Sequence, residues 1–194
     1  MSTRRLFPAL LLCALAVLIA APAEAQSRSR SRSKPIERGF ELSFYFTQTD
    51  FDSKSEIDDD LGIGFRFGYL FTARHQLDFL LNAVDTHDAF LAQNQVDMTN
   101  LQVAYVYNFT SKDVIPYLTA GIGVIDWHDD FRGNESDGVL GLGAGIRFVA
   151  GEAFFLRLEA RHNMFEGDNP VFLSGEDFSF NEFAFGVGWR FRSF

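Results

Sequence analysis

Few of the 194 residues are of a type and placement to do chemistry, and the four histidines come first. His75, His87 and His128 are scattered over prospective turns and loops with no spacing that would bring two onto one metal, so a zinc site is not supported. His162 stands apart, in phase with the apolar Leu158 and Ala160 of its segment. A histidine there would act as a base only beside a hydroxyl or thiol to activate, and Met164, two residues on, offers neither. The single cysteine, Cys13, rules out a disulfide framework and a cysteine-rich metal site.

The charged residues carry more information. Arg157, Glu159 and Arg161 recur at every second position and therefore share one side of a strand. Such a row either selects solutes in a narrow pore or neutralises itself in a filled interior, and the small radius of an eight-stranded barrel favours the filled interior. Glu41, Arg66, Asp78, Arg147, Glu182 and Arg190 occupy the same polar phase of their own segments. Two further clusters are acidic: Asp50, Asp52, Glu56, Asp58, Asp59 and Asp60 against Lys54, and Asp126, Asp129, Asp130, Glu135 and Asp137 against Arg132. Carboxylates are the hard oxygen ligands that Ca²⁺ and Mg²⁺ take, so weak divalent binding centred on Asp58, Asp59, Asp60, Asp129 and Asp130 is one expectation. No EF-hand spacing is present, and a merely solvated acidic surface is the other.

The elements that must position these groups are strands. From Phe40 onward every second residue is apolar over eight segments, with no comparable helical stretch. The first strand spans roughly 38–48, with Phe40, Leu42, Phe44 and Phe46 on one face. The second, near 61–71, sets Leu61 to Phe71 against Gly62, Gly64, Arg66 and Gly68. Leu77 to Ala83, Leu101 to Phe109, Leu118 to Val124, Leu140 to Phe148 and Phe154 to Ala160 mark the next five apolar faces, and 182–191 closes the set with Phe183, Phe185, Val187, Trp189 and Phe191. Short connections follow the second, fourth and sixth strands, while long acidic ones follow the first, third, fifth and seventh. That alternation, with strands of about ten residues, predicts an all-β fold, an antiparallel up-and-down transmembrane barrel of eight strands over 38–194.

The start of the chain reads as an export signal over 1–25: Arg4 and Arg5, the apolar Ala9 to Ala21, then Ala23-Glu24-Ala25. Residues 26–37 form a low-complexity Ser/Arg tract, expected to be a disordered linker. Outside the N-terminus no apolar run approaches the ~20 residues of a membrane helix. A net charge of -9 argues against nucleic acid as a partner.

Which face points outward decides the reading. A soluble barrel would turn its apolar face inward around a ligand, whereas a membrane barrel turns it to lipid and fills its interior with the polar face. The short-turn ends of the apolar face carry Phe71, Tyr107, Phe109, Phe148, Phe154, Trp189 and Phe191, an aromatic girdle of the kind found at a membrane interface. The opposite face interleaves its charges with glycines, which leave room for long side chains to pair across a narrow lumen.

The signal sequence, the eight strands, Pro116-Tyr117-Leu118-Thr119-Ala120-Gly121-Ile122-Gly123 and the ending Gly186-Val187-Gly188-Trp189-Arg190-Phe191 resemble the small bacterial outer-membrane barrels of the OmpA and OmpX type. The resemblance implies a monomer in the cell outer membrane, both termini in the periplasm and four loops outside. Its implied partners are membrane lipid, lipopolysaccharide bridged by Ca²⁺ or Mg²⁺, and the assembly machinery, which reads a terminal aromatic at Phe191 or Phe194. Such barrels serve as adhesins, tethers, narrow channels or lipid-modifying enzymes. Arg161-His162-Asn163-Met164 loosely resembles the lipid A deacylase barrels, whose motif pairs a His with a Ser two residues later. Met164 stands in that place, so a non-enzymatic barrel is expected, with a lipid-modifying enzyme centred on His162 or a narrow channel as alternatives.

Overall fold

In a computed structural model the described residues are 38–51, 60–87, 95–129, 133–151, 153–167 and 176–192. The export signal, the Ser/Arg linker, Cys13, Asp58, Asp59, Asp130 and Phe194 lie outside them. The strands are β1 (Gly39–Phe51), β2 (Asp60–Leu70), β3 (His75–His87), β4 (Gln95–Asn108), β5 (Val114–Asp129), β6 (Gly133–Ala150), β7 (Phe154–Gly167) and β8 (Glu176–Arg192). Each pairs antiparallel with its neighbours in chain order, and β1 closes on β8 from Gly39↔Arg192 to Phe51↔Phe180. Closure leaves neither the first nor the last strand with a free edge, as a wall set in hydrocarbon would require.

The three short connections lie where the sequence places them. In the β2–β3 turn, the Phe71 amide donates to the His75 carbonyl at 2.9 Å, and the Thr72 hydroxyl accepts from the amides of Arg74 and His75. The β6–β7 turn carries Gly151 at φ 74°, a left-handed conformation that favours glycine.

The burial pattern alternates as the sequence does. Along β1, Glu41, Ser43, Tyr45, Thr47 and Thr49 are buried inside, while Phe40, Phe44 and Phe46 are exposed on the outer wall. The strands nevertheless run further than the apolar alternation indicates, and the long acidic connection expected after the fifth strand is not a long loop. Asp126 lies in β5 and Glu135 and Asp137 in β6, within a ladder that continues to Asp129↔Gly133. The period of two persists there while the faces exchange character: Ile125 and Trp127 are buried inside, and Asp126 and His128 face out. Above the apolar belt the outer wall meets water, so hydrophobicity moves to the inner face and the strand no longer looks like one.

The ladders also end unevenly at this upper rim. Pairing of β3 with β4, β4 with β5 and β5 with β6 extends to His87↔Gln95, Val96↔Asp129 and Asp129↔Gly133. Pairing of β6 with β7 stops at Val139↔Phe165, although β7 and β8 go on to Gly167↔Glu176.

Candidate functional site in the barrel lumen

The inward phase of the eight strands brings the sequence-predicted charges together in two connected groups. In the lower one Glu41 is the hub, reached by Arg147 at 3.1 Å, Arg157 at 3.3 Å and Arg190 at 2.6 Å. Gln76 donates to Glu41 at 2.9 Å and to Asp78 at 2.5 Å, and Arg157 also binds Asp78 at 3.0 Å. Above it, Arg66 grips both oxygens of Glu159 in a bidentate pair at 2.8 Å each, geometry suited to a planar guanidinium. Glu159 further accepts from Arg161 at 2.8 Å and from the Tyr117 hydroxyl at 2.6 Å. The guanidiniums of Arg147 and Arg157 lie over the rings of Tyr117 and Phe155, 5.1 to 5.7 Å from their centroids.

Uncharged amides continue the network upward. Arg161 donates to Gln102, Gln102 to Asn163 at 2.8 Å, Asn163 to Glu182 at 2.7 Å, and Asn82 to the same carboxylate at 2.6 Å. A cavity of about 10 Å³ among Tyr45, Thr47, Arg66, Asn82, Glu159 and Glu182 is about what one water molecule needs.

The third tier was missed in the sequence. Phe51, Val84, Val96, Met98, Ile125, Trp127, Val139, Phe165, Phe178 and Phe180 form a buried apolar cluster across the top of the lumen. Its aromatics interlock: Phe51 and Phe180 at 5.5 Å between centroids, Trp127 and Phe165 at 5.8 Å, Phe165 and Phe178 at 5.8 Å. The signal available was the exchange of faces, in which adjacent apolar residues such as Val124 and Ile125 mark a strand passing from belt to cap.

Glycines make room for the large inner groups. A Cβ on Gly64 would overlap the Tyr45 ring, and one on Gly145 would overlap Tyr117. Tyr45 has little freedom to yield, since its hydroxyl donates to the Leu81 carbonyl and Arg66 lies over its ring. Gly64→Val is therefore expected to cost about 1–3 kcal/mol by overpacking, read as a lowered urea midpoint for the refolded barrel in micelles.

On the outer wall the girdle residues occupy the short-turn end. Phe71, Phe109, Trp189 and Phe191 are exposed. Phe71 packs edge-on to Tyr69, Tyr107 to Phe109, and Phe154 to Trp189. His75 bonds the Tyr105 hydroxyl beside them. His162 is exposed on β7 opposite Leu142, and its Nδ1 lies 2.9 Å from Asn181 Oδ1. Of the carboxylates considered for divalent cations, Asp60 begins β2 and accepts from the Leu61 amide at 2.7 Å, and Asp129 ends β5 in register with Gly133. Asp126, on the outer wall, accepts from Ser136. Among the described residues no three acidic, histidine or cysteine side chains gather as a metal site.

Comparison with known proteins places this architecture. Residues 11–191 match the family described as outer membrane protein beta-barrel domain. No curated protein sequence matches significantly. Among solved structures, Neisserial surface protein A superposes with a TM-score of 0.63 at 17% identity, covering 78% of this chain and 97% of that one. The outer membrane protein OprG from Pseudomonas aeruginosa gives 0.56 at 14% identity, over 84% and 100%. Ail of Yersinia pestis in a phospholipid bilayer nanodisc gives 0.52 at 16%, over 80% and 100%. At these identities the likeness is one of fold.

Proposed function

We propose that this chain, which belongs to the outer membrane protein beta-barrel domain family, is a non-enzymatic, non-conducting barrel of the outer membrane whose working surface is its extracellular rim. The observation that carries the reading is the filling of the lumen in tiers: ion pairs around Glu41 and Glu159, an amide network above them, and an aromatic cap over both. A pore needs a continuous wet path, and paired charges under a dry cap do not provide one. The exposed rim residues Asp50, Asp85 and Asp126 give the outer end an acidic character suited to surface interaction in the presence of divalent cations and lipopolysaccharide. The export signal at 1–25 and delivery to the assembly machinery through the last strand, with its exposed Phe191, belong to the same reading.

Planar-bilayer recording tests it. The purified barrel is expected to give no sustained conductance, and a robust, ion-selective open channel would overturn the reading. The orientation of the wall is tested separately. Leu142 is exposed on the outer wall of β6 between Ala120 and His162. Leu142→Arg there is expected to cost about 2–4 kcal/mol if that wall meets hydrocarbon near the bilayer midplane, and close to nothing if it meets water. Urea unfolding in lipid vesicles distinguishes the two.

A further inference from the structure

Two of the three short connections repeat one pattern. The chain turns from β2 to β3 through Tyr69-Leu70-Phe71-Thr72-Ala73-Arg74 and from β4 to β5 through Tyr107-Asn108-Phe109-Thr110-Ser111-Lys112. Each reads Tyr-x-Phe-Thr, then one small residue, then a cation. The repeat extends to geometry. Tyr69 and Phe71 meet edge-on at 5.0 Å and 88°, Tyr107 and Phe109 at 5.4 Å and 86°. The Thr72 hydroxyl accepts from the Arg74 amide at 3.2 Å, and the Thr110 hydroxyl accepts from the Lys112 amide at 3.4 Å. The Asn108 amide donates to the Arg74 carbonyl at 2.8 Å, which sets the two turns side by side. The third short connection departs from the pattern: Phe148-Val149-Ala150-Gly151-Glu152 has neither the threonine nor the cation and carries an acid instead.

The aromatic pair belongs to the girdle and the threonine fixes the turn, and neither needs the cation. Arg74 and Lys112 are exposed, and neither enters an ion pair among the described residues. Each motif also ends an ordered series along the outer wall. On β4 the aliphatic Leu101 and Val103 give way to the aromatic Tyr105, Tyr107 and Phe109, and Lys112 follows in the turn. That is the order of acyl chain, ester region and phosphate in a membrane lipid. We propose that each motif holds the headgroup phosphate of one anionic phospholipid in the leaflet at the short-turn end. The cation meets the phosphate oxygens, and the edge-on aromatic pair packs beside the ester region and upper chain. A free phosphate ion shares the first contact but has no use for the second, so the aromatic pair decides for the lipid. The inference rests on the reading that the outer wall faces lipid.

Tryptophan placed in each motif supplies a test that separates the sites from that reading. Trp189→Phe leaves Trp127, buried in the cap, as a constant background, and Phe71→Trp or Phe109→Trp added to it puts an indole in one motif. The parent's Trp189, 6.0 Å from Phe154 beside the acidic third connection, is the control. The proteins are refolded into phosphatidylcholine vesicles holding a minor share of a lipid brominated near the ester end of its chains, either phosphatidylglycerol or phosphatidylcholine. Brominated phosphatidylcholine is expected to quench all three reporters, and if it quenches none, the lipid-facing reading fails and the sites with it. Brominated phosphatidylglycerol is expected to quench both motif reporters as though about fivefold more abundant, the factor that ~1 kcal/mol for one cation at a headgroup represents, with no such excess at Trp189. Arg74→Gln is expected to abolish the excess at Phe71→Trp, and Lys112→Gln the excess at Phe109→Trp, so one motif still decides if a variant of the other fails to fold. The Ser/Arg tract is the rival source of positive charge, and Arg28→Gln, Arg30→Gln and Arg32→Gln together are expected to leave the excess in place. No excess, an equal excess at Trp189, or an excess removed through the tract and not through Arg74 and Lys112 would overturn the sites while leaving the membrane reading intact. So would loss of the excess to inorganic phosphate at constant ionic strength, which would mark a site for the free ion.

Discussion

Replacing Glu159 by alanine is expected to destabilise the folded barrel by about 3–5 kcal/mol, the scale for removing one partner of a buried ion pair. Glu159 is the only carboxylate held by both Arg66 and Arg161 among the described residues, and it also accepts from Tyr117. Without it, Arg66 keeps Asp78 at 3.5 Å and Arg161 keeps the neutral Gln102 at 3.1 Å, so two guanidiniums less than a tenth exposed are left short of charge. The same deletion at an exposed pair would cost no more than ~1 kcal/mol. Most of the loss comes from the stranded arginines, which gives the experiment a sign: Glu159→Ala combined with Arg66→Met is expected to be more stable than Glu159→Ala alone. Urea titrations of the refolded proteins in micelles, followed by circular dichroism, read both quantities. A loss below ~1 kcal/mol would mean that bulk solvent reaches Glu159 and screens it, and the non-conducting reading would fall with it.

The wall of this barrel was legible in its sequence and the lumen only partly so. Alternation marks a strand whenever its two faces meet different media, and Leu61 to Phe71 or Leu140 to Phe148 meet lipid on one side and polar interior on the other. The inward phase of the nine charges follows from the same alternation. Their partners do not, because pairing across a lumen depends on shear and rotamers: Arg147 reaches Glu41 rather than Glu159, which sits nearer in sequence. The upper third was hidden for another reason. Where the outer face passes from lipid to water and the inner face from amide network to apolar cap, both faces change sign within two residues, and a reader following one apolar phase sees the strand end. Trp127 stands between Asp126 and His128, inside the acidic stretch that the sequence predicts as a long connection.

Its true placement makes Trp127→Ala the sharpest test of that upper third. The indole is buried to 1% exposure, in register with Met98 on β4 and Glu135 on β6. It meets Phe51 at 6.1 Å and Phe165 at 5.8 Å between ring centroids, so it bridges aromatics from β1 and β7. Truncating a large aromatic in a packed interior removes its transfer free energy and leaves a cavity whose walls relax only in part, and the expected loss is about 3–5 kcal/mol. Were residues 125–139 a solvated loop, the same substitution would fall within ~0.5 kcal/mol of the parent, as surface changes do. Circular dichroism of the strands during urea unfolding measures the difference without relying on the fluorophore being removed. The neighbouring outward position supplies the control: His128, exposed on the same strand one residue away, is expected to tolerate alanine with little change. Equal, small effects at both positions would mean that the cap does not hold the two sides of the rim together, and that the strands end where their outer apolar phase ends.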